Sequence, residues 1–306
     1  MRAAVIAGSR RLEIIDAAPP IPAPRDVRVR LEGCGVCASN LPVWEGRPWF
    51  SYPLDSGAPG HEGWGVVDAV GDEVDDVKRG ERVAFLSNHA YAEFDVADAA
   101  SLVRIPDALT GRKFPGEALG CAMNIFRRAE IRAGDTVVVI GAGWLGNLLI
   151  QLARAEGARV LAVSRRASAR ELARACGASD AFSFDDARGL RAGRVIECVG
   201  TQNALDLAGE IIAERGRLVI AGYHQDGPRQ VNLQQWNWLG IDVINAHERD
   251  PRNYVRGMRD AVDAVIAGRI DPEPLLTHSY AIDELGQALD DVSERPDGFV
   301  KGTIAF

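Results

Sequence analysis

The stretch GCGVCASN, residues 33–40, sets Cys34 and Cys37 three apart among small residues, and further on GAPGHEGWG, residues 57–65, carries His61 beside Glu62 between two glycine-rich flanks. Thiolate and imidazole are soft ligands that suit zinc, whereas magnesium takes oxygens. The same thiols could instead form a disulfide or pack as small buried hydrophobes. The five cysteines, Cys34, Cys37, Cys121, Cys176 and Cys198, are odd in number and lack the spacing of a disulfide framework, so reduced thiols are expected. For any one of them the structural and ligand roles stay open, and only a constellation decides. The other histidines, His89, His224, His247 and His278, show no ligand spacing and are expected to be structural or at the surface.

A second chemistry is written in GAGWLG, residues 141–146. Gly141, Gly143 and Gly146, with Trp144 and Leu145 between the last two, follow the apolar run TVVVI and open WLGNLLIQLARAEG, in which Leu145, Leu148, Leu149 and Leu152 recur at helical spacing. A strand, a glycine-rich turn and a helix in that order let the backbone approach a pyrophosphate held at the helix N-terminus. The next strand, RVLAV, ends in Ser164, Arg165 and Arg166, where an NAD-binding chain of this kind carries an acid for the ribose diol. A hydroxyl and two guanidinium groups suit a 2'-phosphate, so NADP(H) is expected over NAD(H).

Elements that could position these residues follow from texture. Up to about residue 115, short apolar runs such as VRVRLEGCGV are broken by glycine and proline clusters, which predicts compact β structure with turns. Beyond it strands and helices alternate: the βαβ unit above, then SARELARACGA with Ser168 and Glu171 as a capping box, AFSF, RVIECVG, the helical TQNALDLAGEIIAERG and RLVIAGY. This predicts an open, doubly wound parallel sheet. After it come a helix in YVRGMRDAVDAVIAGRI and a strand-like GTIAF tail that returns to the first domain. The expected division is residues 1–122, 123–247 and a return segment, 248–306. The 306 residues carry a net charge of -8, and only three of the 35 Lys plus Arg are lysine, with arginines scattered among acids. No nucleic-acid partner is expected from that pattern, and with no apolar run long enough to span a membrane the chain is expected to be soluble and cytoplasmic.

In combination GCGVCASN, PGHEGWGVVDAVG, RGERVAF, LGCAMN, VVVIGAGWLG and LLTHSYAIDELGQALDDV occur in an order that resembles the zinc-containing medium-chain dehydrogenase/reductase family of the alcohol dehydrogenase type, along nearly the whole chain. The resemblance implies an α/β fold: a Rossmann domain plus a mainly β, GroES-like catalytic domain. It implies Cys37, His61 and Cys121 as catalytic zinc ligands, with Cys34, Cys176 and Cys198 structural. It gives Ser39 the proton of the reacting oxygen and makes Glu62 an acid beside the metal. Asn40 stands where the family usually has an acid that orients the ligand histidine, and an amide oxygen there can still accept from His61 without supplying a charge. Pro42 occupies the place of a proton-relay histidine and cannot carry a proton. The family's lobe of four cysteines for a structural zinc has no counterpart, since only VAFLSNHA separates Arg82 from Tyr91. Trp44, Trp49, Phe50 and Tyr52 fall where the family builds part of its substrate cleft, with core packing the alternative.

The reading that follows is a zinc-dependent oxidoreductase moving hydride between NADP(H) and an alcohol, aldehyde or ketone, as a homodimer or homotetramer. Two rivals are a zinc-free quinone or enoyl reductase on the same fold, and a non-enzymatic NADPH-binding protein.

Overall fold

A computed structural model describes residues 1–306. The chain opens with an antiparallel pair, β1 (Arg2–Gly8) and β2 (Arg11–Asp16). In β3 (Asp26–Gly35) Val27, Val29 and Leu31 are buried and alternate with charged residues, the period-two pattern of a half-covered strand. There follow α1 (Leu41–Trp44), β4 (Glu62–Val70), β5 (Arg82–Phe85), β6 (Phe94–Asp98), β7 (Leu102–Arg104) and α2 (Gly116–Ala129).

The alternating region supplies β8 (Thr136–Ile140), α3 (Trp144–Ala155), β9 (Arg159–Val163), α4 (Ala167–Ala175), β10 (Asp180–Phe182), β11 (Ala192–Glu197), α5 (Gln202–Ile211), β12 (Ile212–Ile220), α6 (Leu233–Leu239) and β13 (Asp242–Asn245). All its strand pairs are parallel, in the order β10-β9-β8-β11-β12-β13. Val137 to Ile140 are fully buried, as befits a central strand covered on both faces. Two local expectations fail. The first turn of α4 begins at Ala167 with Arg166 at the N-cap, so Ser168 lies inside the helix and the Ser168/Glu171 capping box does not form. Nor does IIAERG continue α5: Ile212 already pairs with Ala192, and the strand re-enters the ladder after a register shift with Arg215 at positive φ.

The tail forms α7 (Pro251–Ile266), β14 (His278–Ala281), α8 (Leu285–Glu294) and β15 (Gly302–Ala305). In α7, Val255, Met258, Ala261, Val262 and Val265 form the buried stripe. β14 and β15 extend the first region's sheet, whose order is β14-β15-β3-β4-β5-β7, with β6 also paired to β3. The chain divides into two compact units, Met1–Cys121 with Asp250–Ile266 and Glu273–Phe306, and Ala122–Arg249 with Ala267–Pro272. The piece 267–272, expected with the return segment, thus clusters with the parallel sheet. No helix is long and apolar enough to cross a membrane.

Candidate metal centre and dinucleotide site

Strand register assembles the first unit's cluster. β3 and β4 pair with Gly35 opposite Glu62 and Cys34 opposite Gly63. Cys37, just past the end of β3, therefore comes up beside His61, just before the start of β4. The ligand atoms of Cys37, His61 and Glu62 all lie within 4.8 Å of one another. A Cβ on Gly35 would stand 1.8 Å from Glu62 Oε2, so this approach of carboxylate to backbone requires glycine. From the other side of β3, β15 pairs Thr303 with Gly35. That brings in Lys301, whose Nζ is 2.6 Å from both Glu62 oxygens and donates to Oε1. Glu62 and Lys301 are 1% and 5% exposed, and losing one partner of such a buried pair typically costs about 3–5 kcal/mol.

His61 is anchored at one nitrogen and open at the other. Its Nδ1 lies 2.9 Å from the Pro59 carbonyl, which can only accept, so Nδ1 carries hydrogen. Nε2 faces Cys37 and stands 3.4 Å from Ser39 Oγ. Burial pushes the imidazole pKa down, but the hydrogen bond to Cys37 and the negative charges of Cys37, Glu117 and Glu62 carry it up to about 10. The same surroundings that raise His61 would favour a divalent cation at the cluster. Sulfur and nitrogen donors with a histidine whose second nitrogen is held by a carbonyl fit zinc.

The other expected residues divide. Asn40 does not accept from His61: its Oδ1 accepts from the Tyr91 hydroxyl at 2.8 Å and its Nδ2 donates to Pro59 O at 3.3 Å. It steadies the histidine through the carbonyl they share. Cys121 stands outside the three-residue group, its Sγ turned to Glu117 Oε1 at 3.2 Å, and burial beside that carboxylate pushes its thiol pKa well up. Cys34 is fully buried in the core, and burial likewise raises its thiol, as a structural role requires. Among the aromatics, Trp44 is core and donates to Asp290 at 2.7 Å, Tyr52 donates to the Val43 carbonyl, Phe50 packs on the core and Trp49 is 61% exposed. Sequence reasoning passed over Lys301 and Glu117. Glu117 had a readable signal, since it precedes Cys121 by four on a helix and so shares its face. Lys301 had none beyond being one of three lysines.

The second unit offers backbone instead of side chains. Gly141 has φ 102°, and a Cβ on Gly146 would lie 1.8 Å from the Gly141 carbonyl, so the first and third glycines make the turn and its contact with α3. A Cβ on Gly143 would meet nothing within 4 Å. That open space sits at the N-cap of α3, where a pyrophosphate would be received by backbone N–H groups. Trp144 and Leu145 begin the helix. At the end of β9, Ser164 is half-buried, and the exposed Arg165 lays its guanidinium over the Phe184 ring, 5.1 Å from the centroid. Arg166 caps α4. Arg170, not singled out in the sequence, donates to the Ser164 and Arg165 carbonyls at 2.9 and 2.8 Å and so fixes this corner.

Comparison with known proteins bears on the family and the fold. Residues 23–122 match the alcohol dehydrogenase GroES-like domain family and residues 145–267 the zinc-binding dehydrogenase family. A curated relative, quinone oxidoreductase of Mus musculus, is 25% identical over 301 residues, 90% of this chain and 88% of its own length. The crystal structure of rspB, a short chain alcohol dehydrogenase of E. coli CFT073 complexed with NADH, superposes with a TM-score of 0.89 at 22% identity, covering 100% of this chain and 99% of that one. The cobalt- and zinc-bound thermostable alcohol dehydrogenase of Pyrobaculum aerophilum gives 0.86 at 27% identity, again over 100% and 99%.

Proposed function

The chain belongs to the medium-chain dehydrogenase/reductase family of the alcohol dehydrogenase type, and on that premise we propose that it is a zinc-dependent oxidoreductase moving hydride between NADP(H) and a small alcohol, aldehyde or ketone. The observation that carries the reading is the group of Cys37, His61 and Glu62 with Ser39 beside His61 Nε2. Cys37 and His61 supply two ligands, and α2 supplies a third from Cys121 or Glu117. Bound cofactors would contribute a Lewis acid and a hydride carrier. The chain's own groups do the rest. Pro59 O holds His61 in one tautomer, Lys301 holds Glu62, and Ser39 Oγ takes and returns the proton of the substrate hydroxyl. Pro42 cannot carry that proton onward, so no relay runs through position 42.

Ser164, Arg165 and Arg166 support the choice of NADP(H), with Gly141, Gly143, Trp144, Leu145 and Gly146 receiving the pyrophosphate. The relative named a quinone oxidoreductase favours a second reading, a zinc-free quinone or enoyl reductase; the ligand types at 37, 61, 117 and 121 speak against it. Outer strand β13 and the exposed Leu233 and Trp238, 67% and 88% accessible, favour a homodimer joined along that edge, alone or within a homotetramer. The test is NADPH consumption against a panel of aldehydes, ketones and quinones, with zinc measured in the same preparation. We expect about one zinc per chain, turnover of carbonyls that a chelator abolishes, and a loss on the order of a hundredfold in Ser39→Ala with zinc retained. Metal-independent reduction of quinones would replace this reading by the second.

A further inference from the structure

A buried carboxylate that the chemistry above does not use lies at the C-terminal end of β11. Glu197 is fully buried, yet each of its oxygens is engaged. Oε1 accepts from the N–H groups of Val199 and Gly200 at 2.7 and 2.8 Å, and Oε2 accepts from His224 Nε2 at 3.0 Å. Arg229 Nε donates to His224 Nδ1 at 2.9 Å, and Arg229 Nη2 donates to the Gly200 carbonyl at 2.9 Å as well as to Asp226. The bonds close on themselves: Glu197 to Gly200, Gly200 to Arg229, Arg229 to His224, His224 back to Glu197. Because Arg229 can only donate, His224 Nδ1 is an acceptor and Nε2 carries the hydrogen. A neutral imidazole thus links a buried anion to a cation, which leaves neither charge uncompensated.

This ring ties together two loops, the one after β11 (198–201) and the one after β12 (221–232). They meet backbone to backbone. A Cβ on Gly222 would lie 2.2 Å from Gly200 N and 2.6 Å from Glu197 Oε2, and one on Gly200 would lie 2.6 Å from the Tyr223 carbonyl. Val199 and Tyr223 remain 38% and 58% exposed beside this seam, and Val199 Cγ2 would be 2.7 Å from a Cβ on Gly141, the first glycine of the phosphate turn.

Strand order says what belongs there. In an open parallel sheet a dinucleotide lies across the C-terminal ends of the strands, on both sides of the point where the order reverses. Here β8 carries the phosphate turn, and β9 with Ser164 and Arg165 lies on one side of it. β11 and β12 lie on the other. If the adenosine half occupies the β9 side, the nicotinamide half runs over the two loops that the ring holds.

Resting on the reading of the second unit as a dinucleotide site, we propose that Glu197, His224 and Arg229 are positioning residues for the nicotinamide half of the cofactor and take no part in holding the adenosine half. They act by fixing the Val199–Gly200 and Gly222–His224 backbone at the spacing that half requires.

The test separates the two halves of the ligand. NADPH and NADH are titrated into the parent by calorimetry, alongside a fragment that is the adenosine half alone, adenosine 2',5'-bisphosphate or AMP as the parent's preference dictates. In His224→Ala and in Arg229→Ala the dissociation constant of the whole dinucleotide should rise about tenfold, while that of the fragment stays within about twofold. The double variant should be little worse than either single one, since the ring fails as a unit. His224→Gln, whose amide can donate to Glu197 and accept from Arg229, should recover most of the affinity. Equal weakening of dinucleotide and fragment, or no weakening of either, would overturn the proposal and assign the ring to loop stability alone. A parent that binds neither dinucleotide would overturn the cofactor reading itself.

Discussion

The two sites are built in opposite ways. In the first unit the candidate site is made of side chains from distant stretches: Cys37, His61 with Glu62, and Lys301 meet because β15, β3 and β4 pair in one register, and α2 brings the pair Glu117 and Cys121. In the second the candidate site is a contiguous turn, Gly141 to Gly146, that offers open backbone at Gly143. A site made of side chains can be lost through one substitution. One made of backbone changes by degrees, through the groups at its rim.

The largest expected effect falls on the first kind. Cys37→Ala and His61→Ala should each lose zinc and carbonyl reduction together, because each removes one of few donors to the metal. Cys34→Ala, three residues away and in the core, should keep both and lower the melting temperature only by a few degrees. Zinc content by elemental analysis, turnover and a melting curve on the three variants check this. A Cys34 variant that loses metal as the others do would show that the register does not select Cys37.

The contrast also governs what could be read from the sequence. GAGWLG announced its own strand, turn and helix because period and glycine spacing are local properties, and the parallel sheet followed from the alternation of the segments around it. Cys37 and His61 were legible only as part of an ordered set of motifs. Their supports were not, since hydrogen-bond partners across a sheet depend on register: Pro59 O took the place expected of Asn40, and Lys301, 239 residues from Glu62, closed the buried pair. IIAERG was misread as helix because apolar spacing near an element's end fits either period, and pairing of Ile212 with Ala192 decided it.

A sharper cut within the first site concerns α2. Cys121, expected as a ligand, donates to Glu117 Oε1 at 3.2 Å, and both side chains stand outside the group of Cys37, His61 and Glu62. With Glu117 as the third protein ligand, Cys121 would serve as its hydrogen-bond donor; with Cys121 as the ligand, the roles reverse. In the first case Glu117→Gln should weaken zinc binding on the order of a hundredfold, and Cys121→Ser, which preserves a donor to Glu117, by about tenfold or less. Competition with a chelator of known affinity measures both. The reverse order would make Cys121 the ligand and Glu117 its partner.

The smallest effect belongs to the rim of the backbone-built site and bears on which dinucleotide it takes. Ser164 at the end of β9 neither repels a 2'-phosphate nor chelates a ribose diol, so preference there depends on the arginines. Arg165 is exposed but not loose, because its guanidinium lies over Phe184, and Arg170 fixes the carbonyls of Ser164 and Arg165. A guanidinium held in that way loses less freedom on meeting a phosphate than one on an unrestrained side chain. A charge-assisted hydrogen bond of about 1.5–3 kcal/mol then gives roughly a ten- to hundredfold preference for NADPH in kcat/KM. In a Ser164→Asp, Arg165→Gln double variant a carboxylate replaces the hydroxyl at the end of β9 and one of the two guanidinium groups is removed, so the preference should turn to NADH. Zinc content should not change, since nothing at this rim belongs to the metal cluster. A parent that uses NADH as readily as NADPH places these arginines among the surface charges.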